Sequence, residues 1–253
     1  MPRLLAVLVL MVLAGLSVIR LDLAQAAGQQ LERHVAALRH ADPRVRARAV
    51  EALVKLGRTA TPALLEALKD HDPRVRAGAA QALGLIRDPA ALAGLEAALR
   101  DRETDVRANA AHALVMSRRP QVLQALTEAL ADPEAEVRFQ AVLGWARMGG
   151  VRAIPILLQA LEDEAAMVRR LAAREIGKRK HPQALPAIVR TLQQDKDVWV
   201  REAAARALGD LGDRAALPAL HAVVNRKDEV GLVREAAAQS IQKLGDRRGR
   251  LSR

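Results

Sequence analysis

Cysteine and tyrosine are absent from the 253-residue chain, and aromatic side chains are reduced to Phe139, Trp145 and Trp199. Without cysteine there is no disulfide, no thiolate nucleophile and no cysteine-ligated metal. Hydroxyl groups are scarce too: beyond residue 26 the serines are Ser117, Ser240 and Ser252, with five threonines. No alternation of Val, Ile and Thr marks strands. What is present is an apolar half built mostly of Ala, Leu and Val. Ala and Leu are strong helix formers and suit helices packed closely together, so the fold class is all-α.

The formal charge is +11. Such a balance favours acidic partners, whether protein, nucleic acid or anionic lipid.

The first 26 residues read as a targeting signal. Arg3 precedes a 16-residue apolar run from Leu4 to Ile19, and Ala24-Gln25-Ala26 places small residues where a signal peptidase reads them. That order matches a secretory signal peptide. A 16-residue helix spans about 24 Å, short of the roughly 30 Å hydrocarbon core. The chain is therefore expected to be exported to the periplasm. The alternative is an uncleaved anchor in the inner membrane facing the periplasm, the only membrane contact foreseen. No cysteine follows the apolar run, so a lipoprotein anchor is excluded.

An internal repeat fills residues 27–245. The dipeptide Val-Arg begins at Val45, Val75, Val106, Val137, Val168, Val200 and Val233, in steps of 30 to 33 residues. Four residues later stands Ala49, Ala79, Ala110, Ala141, Ala172, Ala204 or Ala237. Eight residues later stands Leu53, Leu83, Leu114, Trp145, Ile176, Leu208 or Ile241. Offsets of 0, 4 and 8 lie on one helical stripe. An earlier helix ends on Leu38, Leu68, Leu99, Leu130, Leu161, Leu192 or Val224, and Pro62, Pro155, Pro186 and Pro218 fit its first turn. Asp70, Asp101, Asp132, Asp163, Asp195 and Asp228 stand in the turn between the two helices, with His40 in the first repeat. Asp42-Pro43 and Asp72-Pro73 read as an N-cap followed by proline at the first helical position. Gly57, Gly149, Gly212 and Gly245 are expected to close the second helix as left-handed caps; Arg87, Arg118 and Lys180 occupy that place elsewhere. One hairpin cannot bury its apolar stripe alone, so seven two-helix units must stack.

The stretches DPRVRAGAAQALGLI from Asp72 and VREAAARALGDLGDRAALPAL from Val200 resemble the short HEAT-like repeats of phycobilisome lyase subunits. The resemblance implies a right-handed α-solenoid of seven stacked two-helix HEAT-like repeats. It also implies a polar ladder, in which the turn aspartates Asp70, Asp101, Asp132, Asp163, Asp195 and Asp228 face the arginines Arg46, Arg76, Arg107, Arg138, Arg169, Arg201 and Arg234. These are structural roles. Residues 246–253 read as a short basic disordered tail.

No catalytic, cofactor or metal residue is assigned. The six histidines form no H-E-x-x-H, H-x-H or His-Glu pair, which sets the chain apart from HEAT-type di-iron hydroxylases. Ser117 and Ser240 lack a convincing neighbouring base, and no triad can be drawn. The expected function is a non-enzymatic protein-binding scaffold of the cell envelope.

In this class of fold the second helix lines the concave side. Its outward positions vary while the buried columns hold. Phe139 and Leu143 lie four apart on one face. Arg170 and Arg174 take the same columns in the next repeat, Arg206 follows, and Arg147 and Lys178 extend the group by a turn. These residues form the candidate contact patch for an acidic or amphipathic protein segment. Trp145 belongs to the core column, and Trp199 is either a loop anchor or a contact. Alternative partners are nucleic acid, or the other subunits of a bilin-lyase-like complex.

Overall fold

The structure, a computed structural model, describes residues 25–246. The expected export segment, apart from its last two positions, and the basic tail after Asp246 lie outside the described residues. The chain divides into two compact units, one ending at Ser117 and the next beginning at Arg118.

The first unit contains three helical hairpins: α1 (25–37) with α2 (Pro43–Leu56), α3 (Thr61–Ala67) with α4 (Pro73–Ile86), and α5 (Leu92–Ala98) with α6 (Thr104–Ser117). The second contains four: α7 (Leu123–Glu128) with α8 (Ala135–Met148), α9 (Ala153–Ala160) with α10 (Ala166–Arg179), α11 (Leu185–Gln194) with α12 (Val198–Leu211), and α13 (Leu217–Asn225) with α14 (Gly231–Asp246). The described residues contain no strand, and none of their helices is long and apolar enough to cross a membrane. The architecture is an α-solenoid of stacked hairpins.

Caps written in the sequence set the helix starts. Asp42 accepts a hydrogen bond from the Arg44 amide at 2.8 Å, and Asp72 from the Arg74 amide at 2.9 Å. Asp197 takes the amides of Trp199 and Val200. Each satisfies donors that the first helical turn leaves free. The first helices of the hairpins are short. Several are entered through a 3₁₀ turn opened by a proline, as at Pro89, Pro120 and Pro182.

The repeating columns make the core. Every alanine of the offset-4 column is buried, from Ala49 to Ala237. The column valines from Val75 to Val233 are at most 1% exposed. In the last hairpin the buried anchor of the first helix is Val223, fully buried, whereas the expected Val224 is half-buried; the longer spacing before Val233 shifts the register by one. Close approach of successive second helices rests on small residues. A Cβ on Gly84 would sit 2.8 Å from the Ala113 Cα, and one on Gly177 would sit 2.6 Å from the Ala207 Cα.

The helix ends depart from the sequence expectation at Gly149 and Gly245, and three others turn left-handed without glycine. Gly149 is right-handed (φ −76°), and it is Gly150 (φ 57°) that turns left-handed. A Cβ on Gly149 would meet the Trp145 ring at 2.6 Å, so packing rather than backbone sign requires this glycine. Gly245 lies inside α14 and does not cap it. Arg87, Arg118 and Lys180 adopt φ of 52–57° without being glycine. The turn geometry is thus kept where the sequence does not favour it, at a cost of about 1–2 kcal/mol each.

Candidate partner-binding surface

Two kinds of polar structure emerge on this scaffold. One ties neighbouring repeats together; the other is left on the surface.

The first is a ladder of arginine forks. Arg76 sends Nε and Nη2 to the two oxygens of Asp101 at 2.7 and 2.8 Å, while Nη1 donates to the carbonyls of Asp70 and His71. Arg138 holds Asp163 in the same way at 2.8 and 2.9 Å, and Arg169 holds Asp195 at 2.7 and 2.9 Å. Each aspartate also accepts the amide two residues on: Glu103, Ala165 and Asp197. These arginines are only 6–7% exposed. Burial alone would raise the carboxyl groups of Asp101, Asp163 and Asp195. The hydrogen bonds from the paired arginine and the backbone amide outweigh it and hold all three below the ordinary carboxylate range.

Both ends of the ladder differ from expectation. Asp228 is not the last rung: Arg201 pairs with Glu229 at 2.7 and 3.1 Å. Glu229 is 6% exposed, and its longer side chain spans a turn lengthened by the irregular last spacing. Asp70 is gripped by Arg39 at 2.8 and 3.0 Å, not by Arg46. A carboxylate held by one two-pronged guanidinium has few lone pairs left for a second. Arg46 instead donates to the carbonyls of His40 and Ala41. Arg107 donates to the carbonyls of Asp101 and Arg102, Asp132 accepts the Glu134 amide, and Arg234 lies exposed on α14.

The expected contact patch is not a single surface. Phe139 and Leu143 are half-buried and pack on the core, which corrects their assignment as the apolar half of an exposed patch. Large side chains in these columns lean onto the neighbouring helix, where removing apolar area from water favours them. Trp145 is half-buried as well, and its indole N–H donates to the Thr127 hydroxyl at 3.2 Å. Arg206 is bound to Glu202 along α12, and Arg174 lies 3.7 Å from Glu175. Arg170 is exposed, with its guanidinium carbon 5.2 Å from the ring centre of Trp199.

Trp199 is 51% exposed, and Met167 in the equivalent place on α10 is 40% exposed. Both precede a column valine. Along the repeats that position reads Arg44, Arg74, Asp105, Glu136, Met167, Trp199 and Leu232. The change from charged to apolar within this column is the sequence signal that would have identified Met167. An exposed apolar side chain thus stands at the N-terminal end of α10 and of α12, and the Trp199 ring is covered in part by the Arg170 guanidinium.

Arg147 and Lys178 lie elsewhere, at the opposite end of α8 and α10. Together with Ala146, Val151, Ile154 and Glu175 they line an open cleft of about 490 Å³. Glu175 is 8% exposed and accepts from Lys178 at 2.6 Å and from Arg179. Burial alone would raise its carboxyl; the two cations bring it below its ordinary value. Arg179 also donates to the Ala146 carbonyl.

His40 and His71, in successive turns, each contact a nearby aspartate. The His40 Nδ1 accepts the Asp42 amide, and the His71 ring lies beside Asp70. Among the described residues, no group of three or more His, Asp or Glu side chains could hold a metal ion.

Comparison with known proteins agrees with this architecture. The family model for HEAT repeats matches residues 31–115, 92–170 and 154–242. The chain belongs to the HEAT-repeat family. A 48-residue stretch is 44% identical to the bilin biosynthesis protein PecE of Mastigocladus laminosus; it covers 19% of this chain and 18% of that protein. The complex of CpcE and CpcF of phycocyanin lyase from Nostoc sp. PCC7120 is similar in structure, with a TM-score of 0.50 and 23% identity over 85% of this chain and 94% of that one. YibA of E. coli gives a TM-score of 0.63 and 21% identity over 85% and 92%. These likenesses define the fold.

Proposed function

We propose that this HEAT-repeat protein is a non-enzymatic binding scaffold of the cell envelope, exported to the periplasm, and that it holds an acidic or amphipathic protein segment on the face formed by α10 and α12. One observation carries the reading: Trp199 stands half out of the surface with the Arg170 guanidinium over its ring, and Met167, in the equivalent place on the adjoining α10, is exposed too. A tryptophan with an arginine is the pairing that concentrates binding energy at protein interfaces. The stacking itself contributes only about 0.5–1 kcal/mol at an exposed site, too little to explain an apolar side chain left in water. Arg174 and Arg206 add positive charge near the apolar pair, although each already has a carboxylate close by. The apolar run and small-residue cleavage pattern of residues 1–26 support the export assignment.

The test is a photo-crosslinking residue placed at position 199 of the full chain in living cells, combined with fractionation. The expected result is one discrete crosslinked partner in the envelope fraction, lost in Arg170→Glu/Arg174→Glu. A cytosolic chain, or crosslinks unchanged by the double charge reversal, would overturn the proposal.

A further inference from the structure

The seams α4–α6, α10–α12 and α12–α14 are closed by pairs of small residues, and the seam α8–α10 is not. The residue nine after the column valine meets the residue seven after it in the next repeat: Gly84 meets Ala113, Gly177 meets Ala207, and Gly209 meets Ser240. Between α8 and α10 the corresponding residues are Ala146 and Glu175. A glutamate is much larger than the alanine or serine that stands at this offset in the three seams just named. It is buried there all the same and is neutralised by Lys178 and Arg179. The cleft of about 490 Å³ opens at this substitution. That volume lies within the range of small-molecule sites.

Its lining has two characters. Ala146 and Ile154 form an apolar floor, 6% and 4% exposed, and Val151 stands at the rim, 78% exposed. Around them lie three cations, Arg147, Lys178 and Arg179, against the single carboxylate of Glu175. Lys178 and Arg179 are engaged by Glu175, whereas the exposed Arg147 makes no side-chain ion pair or hydrogen bond among the described residues. The Nδ1 of His181, which also lines the cleft, is buried and has no hydrogen-bond partner.

We infer that this cleft between α8, α9 and α10 binds a small organic carboxylate with an apolar body of roughly a dozen non-hydrogen atoms. The apolar part would rest on Ala146, Ile154 and Val151. The carboxylate would face Arg147. Excess positive charge at the rim, from Arg147, Lys178 and Arg179 against Glu175 alone, selects an anion over a neutral molecule of the same shape and repels an ammonium. This site is separate from the Trp199 surface and does not depend on it.

Decanoate is the probe, titrated into the full chain by calorimetry below its micelle concentration, with decan-1-ol and decylamine as controls. Decanoate is expected to bind at least tenfold more tightly than either control. Arg147→Glu/Lys178→Glu should weaken it at least tenfold. Val151→Asp should do likewise; all three positions are exposed, so helix content should stay unchanged by circular dichroism. Glu175→Ala, which restores a small residue to the seam, should close the cleft and abolish binding while raising stability. No heat with decanoate, equal binding of decan-1-ol, or an affinity unmoved by the double charge reversal would each overturn the inference.

Discussion

The Arg169 guanidinium and the Asp195 carboxylate meet in two parallel hydrogen bonds of 2.7 and 2.9 Å, with both side chains 7% exposed. The pair joins α10 to the turn before α12, and the remaining arginine nitrogen is taken by carbonyls of its own turn. Removing one partner leaves a buried charge unmatched. Asp195→Ala should cost about 3–5 kcal/mol, seen as a lower urea midpoint by circular dichroism. Replacing both residues by apolar ones of similar volume, as in Arg169→Met/Asp195→Leu, should cost far less. If the single and double variants lose stability equally, the rung acts through packing and not through charge.

Acid should weaken the rungs together. Asp101, Asp163, Asp195 and Glu229 all titrate below their ordinary values in the folded chain. The unfolded chain therefore takes up protons first as the pH falls. The stability these groups contribute is complete above the unfolded carboxylate range, about 4, and is lost progressively as the pH drops through their folded values. Urea midpoints should be flat from pH 7 to about 5 and fall steeply below about 4. Asp195→Asn should flatten that fall. Asp72, brought to about 2 chiefly by the Arg74 side chain, should hold its charge into the most acidic part of the window.

The left-handed arginines are sites where stability can be gained. Arg87 is exposed, has φ 57° and closes α4 through its amide to the Leu83 carbonyl. Arg87→Gly should remove the steric cost of that backbone and stabilise by about 0.5–1 kcal/mol, after allowance for the freer unfolded chain. The reverse change at Gly212 (φ 81°), Gly212→Arg, should destabilise by a similar amount. Thermal melts of the two variants should shift in opposite directions.

Gly177→Val should force α10 and α12 apart. The new side chain would begin 2.6 Å from the Ala207 Cα, with backbone on the far side. Overpacking of this kind costs about 1–3 kcal/mol. Gly231→Ala meets nothing within 4 Å and serves as the control, with a melting temperature at or above that of the parent.

Sequence periodicity reveals most of this fold because the same contacts recur. Valine, alanine and a large apolar residue at offsets 0, 4 and 8 can only form one helical stripe, and the stripe is the core. What periodicity hides is the exception within a column. Phe139 and Leu143 stand in outward columns, yet large apolar side chains there fold onto their neighbours. Glu175 reads as one more variable polar residue until its depth is known. Glu229 replaces Asp228 because a spacing longer by one or two residues moves the turn relative to its partner. Trp199 gave an ambiguous signal from the sequence, and its exposure and its contact with Arg170 are tertiary facts. The left-handed turns at Arg87, Arg118 and Lys180 leave no trace in residue type, since the neighbouring helices impose them.

The arginine rungs also bear on how such a chain can change its length. Each rung joins an arginine of one repeat to a carboxylate of the next, and the parts on either side are interchangeable. Excising the hairpin α9–α10 together with one link would place Arg138 opposite Asp195, in the position Asp163 now fills. No buried charge would be orphaned, and Ala146 would face Ala207 across a seam of small residues. Gain or loss of one whole repeat thus leaves every rung paired, whereas a change of one or two residues in a turn needs a carboxylate at a new position, as Glu229 supplies for Arg201. The polar ladder thereby makes the whole repeat the least disruptive step by which this chain can lengthen or shorten.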